Sequence, residues 1–149
     1  MKFDIPPLLK LEHQEMMAEL VEAARLAGPV GEAAREVLHV LRPHFLKEEE
    51  FALPPLGLLR PLAENKVSPE MADFQNLTDR LRIEYRRMVH EHFHILLALE
   101  KLSLAARGSR KAKYEELAQR MILHTQEEEE ILYPASLLVG KVLKTELEK

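Results

Sequence analysis

The chain has 149 residues and no cysteine, with 21 Lys and Arg against 25 Asp and Glu for a net charge of −4. That length suits one domain spanning residues 1–149 with a sizeable core, and the missing thiols exclude disulfides, thiolate metal ligands and cysteine nucleophiles. Neither sign of charge gathers into a block and no stretch approaches the ~20 apolar residues of a membrane span, so nucleic acid and membrane are set aside; the expectation is a soluble, cytoplasmic protein whose partner is a small molecule.

Glycine is sparse, strand-like alternation is absent, and the segments between prolines are rich in Leu, Ala, Glu, Lys and Arg, so they read as helices. Residues 8–27 form the first, closed by "AGP". Residues 30–53 form the second, with a bend expected at Pro43, where an interior proline removes a hydrogen bond and crowds the preceding turn. The third opens at "SPE", with Ser68 as N-cap and Pro69 in the first helical position, and ends near Gly108. The fourth starts within residues 109–113, passes an acidic run to Pro134 and continues helically towards the C-terminus.

Between the second and third helices, "PPLGLLRPLAENKVS" is long for a connection and apolar at Leu56, Leu58, Leu59 and Leu62, so it is predicted to pack down. The third helix would span roughly 55 Å at ~1.5 Å per residue, against roughly 30 Å for the first. Residues 135–149 and the apolar connection are the natural cover for the overhang at residues 70–85. The predicted fold is all-α: an antiparallel up-down four-helix bundle with a long third helix and a C-terminal helical extension.

The buried stripe of each helix follows from apolar residues three and four apart. It runs through Leu9, His13, Met16, Leu20, Ala23 and Ala27 in the first helix, and through Ala34, Val37, Leu41, His44, Glu48 and Phe51 in the second. In the third it takes Met71, Phe74, Leu81, Tyr85, Met88, His92, Ile95, Leu99 and Leu102; in the fourth, Leu117, Met121, His124, Glu128, Ile131, Ala135, Leu138 and Val142. Every helix therefore presents one inward histidine, and two present an inward glutamate four residues later. The pattern is written twice: "HFLKEEEFALP" from His44 matches "HTQEEEEILYP" from His124 at an offset of 80 residues, and Glu12-His13 matches Glu91-His92 at an offset of 79.

Two carboxylates buried without partners would cost several kcal/mol each. A pair of metal ions would satisfy all six groups together, and mixed imidazole and carboxylate donors inside a bundle suit iron or manganese, with zinc as a further option. The candidate ligands are His13, His44, Glu48, His92, His124 and Glu128.

This doubled arrangement resembles the hemerythrin-like family, also described by its HHE cation-binding pattern, over essentially the whole chain. The resemblance implies a hemerythrin-like bundle holding a non-heme di-iron centre. Its ligands would be His13 from the first helix, His44 and Glu48 from the second, His92 from the third, and His124 and Glu128 from the fourth. It further implies two iron ions, with Glu48 and Glu128 bridging and an oxo or hydroxo bridge between the ions. The departures point away from simple oxygen transport, because the oxygen carriers place two histidines four apart on the third helix, where Leu96 follows His92 here. His90 and His94 have that spacing, but their face also carries Arg87 and Lys101. Glu129 is an alternative to Glu128 in the carriers' longer spacing, which the matched positions of Glu48 and Glu128 disfavour.

The ferritin-like spacing Glu-x-x-His occurs at Glu36–His39 and Glu91–His94, off the traced stripes, so His39, His90 and His94 are assigned to the surface or to supporting positions. Tyr133 is assigned to packing, and the methionines to core filling. The functional expectation is a metal-binding protein that interacts with oxygen, peroxide or nitric oxide in sensing, storage or iron handling. The alternatives are a di-iron enzyme that consumes peroxide or repairs iron centres, and a bundle whose metal is purely structural, with the long third helix serving a homodimer.

Overall fold

Prolines punctuate the helices of the computed structural model, which describes residues 3–149. Pro7 opens α1 (Pro7–Ala24), and Pro29 opens α2 (Pro29–Lys47) directly after Gly28, whose φ of 87° is open to glycine but strained for other residues. A 3₁₀ turn at Pro54–Leu58 and the short α3 (Leu59–Ala63) follow, then a 3₁₀ turn at Pro69–Ala72 leads into α4 (Asp73–Gly108), 36 residues long. The fourth long helix is built in pieces, α5 (Ala112–Glu127), a widened turn, and α6 (Tyr133–Leu147). Among the described residues there is no strand, and no helix is long and apolar enough to cross a membrane.

The long helices pack as a bundle in which α4 lies against α2 and α5, and α1 against the same two helices. Ion pairs and hydrogen bonds along their seams run in opposite residue order: Glu22 meets Lys113, Glu19 meets Arg120 and Glu12 meets His124 between α1 and α5. Between α2 and α4, Glu36 meets Lys101 and His44 meets Glu91. One apolar layer contains Met16, Leu41, Phe45, Ile95, Leu99 and Met121; a second contains Phe51, Leu53, Leu81, Met88 and Tyr133. His92 lies between Met88 and Ile95 on α4, so the polar residues of the centre form a stratum between two dry ones.

A third cluster covers the overhang of α4. Met71 and Phe74 pack with Val139 and Leu143 of α6 and with Leu58 of the connection, while Leu62 and Leu147 close its edge. Gly140 permits this approach, because a Cβ there would run into the Thr78 side chain. Leu56 and Leu58 pack down as the sequence suggests, whereas Leu59 remains 43% exposed on the outer side of the short α3. Ser68 precedes the 3₁₀ turn in an extended conformation but makes no side-chain capping bond.

In both repeats the helical ladder widens at the inward glutamate. Glu48–Ala52 and Glu128–Leu132 are π-helical, closed by the Leu53 N–H on the Glu48 carbonyl at 2.9 Å and by the Tyr133 N–H on the Glu128 carbonyl. Pro54 and Pro134 stand immediately after these closing donors. A proline has no N–H for the ladder and crowds the carbonyl four residues back, and a locally widened turn relieves both problems. In the first repeat Pro55 follows and the α-helix stops; in the second Ala135 follows and it resumes.

The wide turn corrects the predicted register beyond Glu128. A turn closed five residues on accommodates one extra residue, so the inward face resumes at Tyr133, Ser136, Val139 and Leu143. Ile131 and Leu138, predicted inward on an unbroken 3.6-residue period, are 58% and 57% exposed. Ala27 also lies outside the core, because α1 ends at Ala24.

Candidate metal centre

All six predicted ligands are buried and converge. His13 comes from the middle of α1, His44 and His124 from the last turns of α2 and α5, His92 from mid-α4, and Glu48 and Glu128 open the two widened turns. One ligand atom from each of His44, Glu48, His92 and Glu128 lies within 4.8 Å of the others, and the same holds for His13, His124 and Glu128. Glu128 belongs to both groups: Oε1 is 3.1 Å from His92 Nε2, and Oε2 is 3.2 Å from His124 Nε2 and 3.8 Å from His13 Nε2. Glu48 also reaches both sides, with Oε2 at 3.6 Å from His44 Nε2 and Oε1 at 3.8 Å from His13 Nε2.

These groups suit a metal better than they suit one another. The Nε2 atoms of His13 and His124 face each other at 3.2 Å, a contact that is favourable only if one of them carries a proton. Glu48 Oε1 and Glu128 Oε2 are buried without a hydrogen-bond partner. Two carboxylates and four imidazole nitrogens directed at a common interior could hold a metal ion.

Electrostatics within the protein alone point the same way. Burial pushes the Glu128 carboxyl well above the usual range, and the adjacent Glu48 charge adds to the effect. Burial also opposes ionisation of Glu48, but hydrogen bonding with Glu128 and His44 and the nearby imidazoles outweigh it and hold its pKa low. His13 and His92 are held below the ordinary imidazole value, chiefly by burial. His44 is raised because Glu48 and Glu91 overcome the effect of burial. A cation would replace this frustrated proton arrangement with a uniform demand for neutral imidazoles and ionised carboxylates.

Behind the histidines lies a ring of glutamates that the sequence reading did not identify as part of the site. His44 Nδ1 donates to Glu91 at 2.8 Å, His92 Nδ1 to Glu129 at 2.9 Å and His124 Nδ1 to Glu12 at 2.6 Å, while His13 Nδ1 faces Glu49 at 3.6 Å. Lys47 binds the other oxygen of Glu91 at 2.7 Å. A carboxylate on Nδ1–H fixes the tautomer that leaves the Nε2 lone pair facing inward. The signal for this ring was present in the repeat, because Glu12 aligns with Glu91 and Glu49 with Glu129, each beside a predicted ligand. Glu129 is accordingly a supporting residue and Glu128 the interior one.

The sequence assigns Tyr133 to packing and its ring is fully buried, but its hydroxyl lies in the centre. It donates to Glu48 Oε2 at 2.6 Å and lies 3.2 and 3.1 Å from the Nε2 atoms of His44 and His92. Burial and the two carboxylates push the phenol pKa well above its ordinary value, so it is a proton donor here. Its sequence signal was its place immediately before Pro134, where the helix widens. His39, His90 and His94 are exposed, as expected.

Several spaces adjoin the centre, and two of them bear on access to it. A void of about 10 Å³ lies between His44, His92, His124 and the apolar residues Met16, Leu41 and Ile95, room for roughly one water-sized molecule. On the outer surface of α1 and α2 an open groove of about 720 Å³ runs past Met17, Val21 and Leu46. His13 itself lines this groove beside Phe45, which stacks on its ring with centroids 4.0 Å apart.

No protein-family model, curated protein or solved structure matches the chain. The class that the fold and the site together define is therefore an all-helical bundle with buried His and Glu clusters able to hold metal ions.

Proposed function

We propose that this chain is a hemerythrin-like protein. In this reading it is an antiparallel up-down four-helix bundle that binds two iron ions in a non-heme di-iron centre and interacts with oxygen, peroxide or nitric oxide in sensing, storage or iron handling. The observation that carries the reading is the pair of ligand groups that meet at Glu128. His44 and His92 would hold one ion and His13 and His124 the other, with Glu48 and Glu128 shared between them. The opposite residue order of the contacts along α1 and α5 supports the antiparallel arrangement. The absence of cysteine agrees with a cytoplasmic setting.

Bound iron would supply reversible one-electron chemistry at two neighbouring ions. The chain's own residues do the rest. The outer glutamates hold imidazole Nδ1–H groups and so orient the Nε2 lone pairs inward. The dry layers above and below keep bulk water out, and the void beside His44 and His92 admits only a very small molecule. Tyr133 O–H, bonded to Glu48, is an interior proton donor. That last feature specifically favours a second reading, a di-iron enzyme that consumes peroxide.

The test is elemental analysis and an optical spectrum of protein loaded with iron anaerobically and then exposed to air. Two irons per chain are expected, with an oxidised spectrum that persists after oxygen is removed until a reductant is added. One ion per chain, unchanged by His13→Ala or His92→Ala, would contradict the di-iron centre. A spectrum that reverts fully through repeated oxygen cycles would instead identify a carrier. Faster loss of peroxide in wild type than in Tyr133→Phe, at equal iron content, would select the enzyme.

A further inference from the structure

The outer face of α4 carries a second cluster of metal-competent atoms. His90 and His94 are both exposed, their Nε2 atoms are 3.1 Å apart, and their rings stand nearly perpendicular at 89°. Residues four apart lie one turn above each other on a helix, which is why the two imidazoles meet. His92, between them in the chain, is directed to the interior, so this segment of α4 presents imidazoles in two directions.

We propose that His90 and His94 form a separate surface site for a borderline divalent cation of the copper, nickel or zinc class. Imidazole nitrogens bind such ions at ~2.0–2.1 Å. Two nitrogens separated by 3.1 Å would then subtend about 100° at the ion, between the cis angle of a square-planar or octahedral site and the angle of a tetrahedral one. The site differs from the interior one in donor chemistry. It offers nitrogen alone, which suits copper, nickel and zinc and gives nothing to the hard, oxygen-seeking magnesium and calcium ions. Water completes the coordination, since both rings are exposed.

Residues 90–94, "HEHFH", also have the His-Glu-x-x-His spacing in which two helical histidines hold zinc and the glutamate acts as a general base. The glutamate is committed elsewhere in this chain. Glu91 Oε1 accepts from His44 and Oε2 from Lys47, both on α2. The surface pair therefore lacks the carboxylate that would activate a bound water, and the site binds a cation without hydrolytic chemistry.

The experiment is a Cu²⁺ titration of the full chain after the interior has been loaded with iron, followed by calorimetry and by electron paramagnetic resonance. It compares wild type, His90→Ala, His94→Ala, the double variant and His39→Ala. Wild type should bind one equivalent more Cu²⁺ than the double variant, with resonance features of imidazole nitrogen coordination. Each single variant should weaken that equivalent by about 100-fold, the ordinary gain from a second ligand held at high local concentration. His39→Ala should match wild type, and Mg²⁺ should give no binding heat. Because both rings are exposed, helix content and iron content should be the same in all variants, which separates a lost ligand from a lost fold. Equal Cu²⁺ uptake and affinity in wild type and the double variant would overturn the proposal, as would an equal loss in His39→Ala.

Discussion

Glu91 is the chain neighbour of His92, yet it accepts its hydrogen bond from His44, on another helix, at 2.8 Å. Glu12 stands in the same relation to His124, at 2.6 Å, although it precedes His13. Each glutamate thus ties the helix that carries it to a candidate ligand on a neighbouring helix. Glu12→Gln and Glu91→Gln should each lower metal affinity by about 10- to 100-fold with helix content preserved, the usual effect of losing a carboxylate behind a ligating histidine. Competition with a coloured chelator measures this. Unchanged affinity in both variants would show that the ring does not orient the ligands.

The inward direction of His92 and the outward direction of His90 and His94 make opposite demands on substitution. His92→Ala should sharply reduce iron retention through gel filtration, while His90→Ala combined with His94→Ala should leave most of the iron in place. The reverse ranking would move the iron to the other face of α4.

Tyr133→Phe removes a buried donor from Glu48 without leaving a large hole. In the metal-free protein the loss should be about 1–3 kcal/mol of unfolding free energy, because the remaining carboxylate stays buried with fewer partners. With metal bound, the loss should shrink, since a cation takes over the charge on Glu48. Urea melts of both forms test the comparison, and an equal loss in the two would count against Glu48 as a ligand.

The metal-free protein should show split imidazole titrations. His13 and His92 should titrate below the ordinary value of about 6.5 and His44 above it, as read from ring resonances by NMR. The signs follow from which state binds protons. For His13 and His92 the unfolded chain binds more protons between their lowered folded values and ~6.5, so their contribution to stability falls as pH drops through that window. For His44 the native state binds more, so its contribution is present below ~6.5 and disappears as pH rises through its raised folded value. Metal should flatten all three titrations, because ligation requires the neutral ring.

Cutting the chain after Pro134 removes most of α6, including Val139 and Leu143, from the face of α4 that carries Met71 and Phe74. The truncated protein should remain helical but aggregate or dimerise through the exposed patch, as sedimentation would show. A monomer with an unchanged melting temperature would mean that this layer contributes little. Gly140→Val should give a milder version, about 1–3 kcal/mol, by forcing α6 away from Thr78.

Much of this arrangement could be read without coordinates, because it depends on local regularities. Prolines and glycines set the helix limits, apolar spacing put His13, His44, His92 and His124 on buried stripes, and the 80-residue repeat paired Glu48 with Glu128. The stripes are a consequence of the 3.6-residue period, which holds wherever the backbone ladder is unbroken. In the second repeat that condition lapses. At Glu128 the ladder widens, and the inward face passes from Ile131 to Tyr133, bringing a phenol into the site that an unbroken helix would have kept out. The glutamate ring was beyond the reach of spacing for a different reason. Glu12 and Glu91 lie beside histidines of their own helices but act on histidines of others, and only the packing of the helices decides which imidazole each carboxylate meets. Composition and periodicity therefore determined which side chains turn inward, while the widened turns and the helix contacts decided how those side chains are held, protonated and joined.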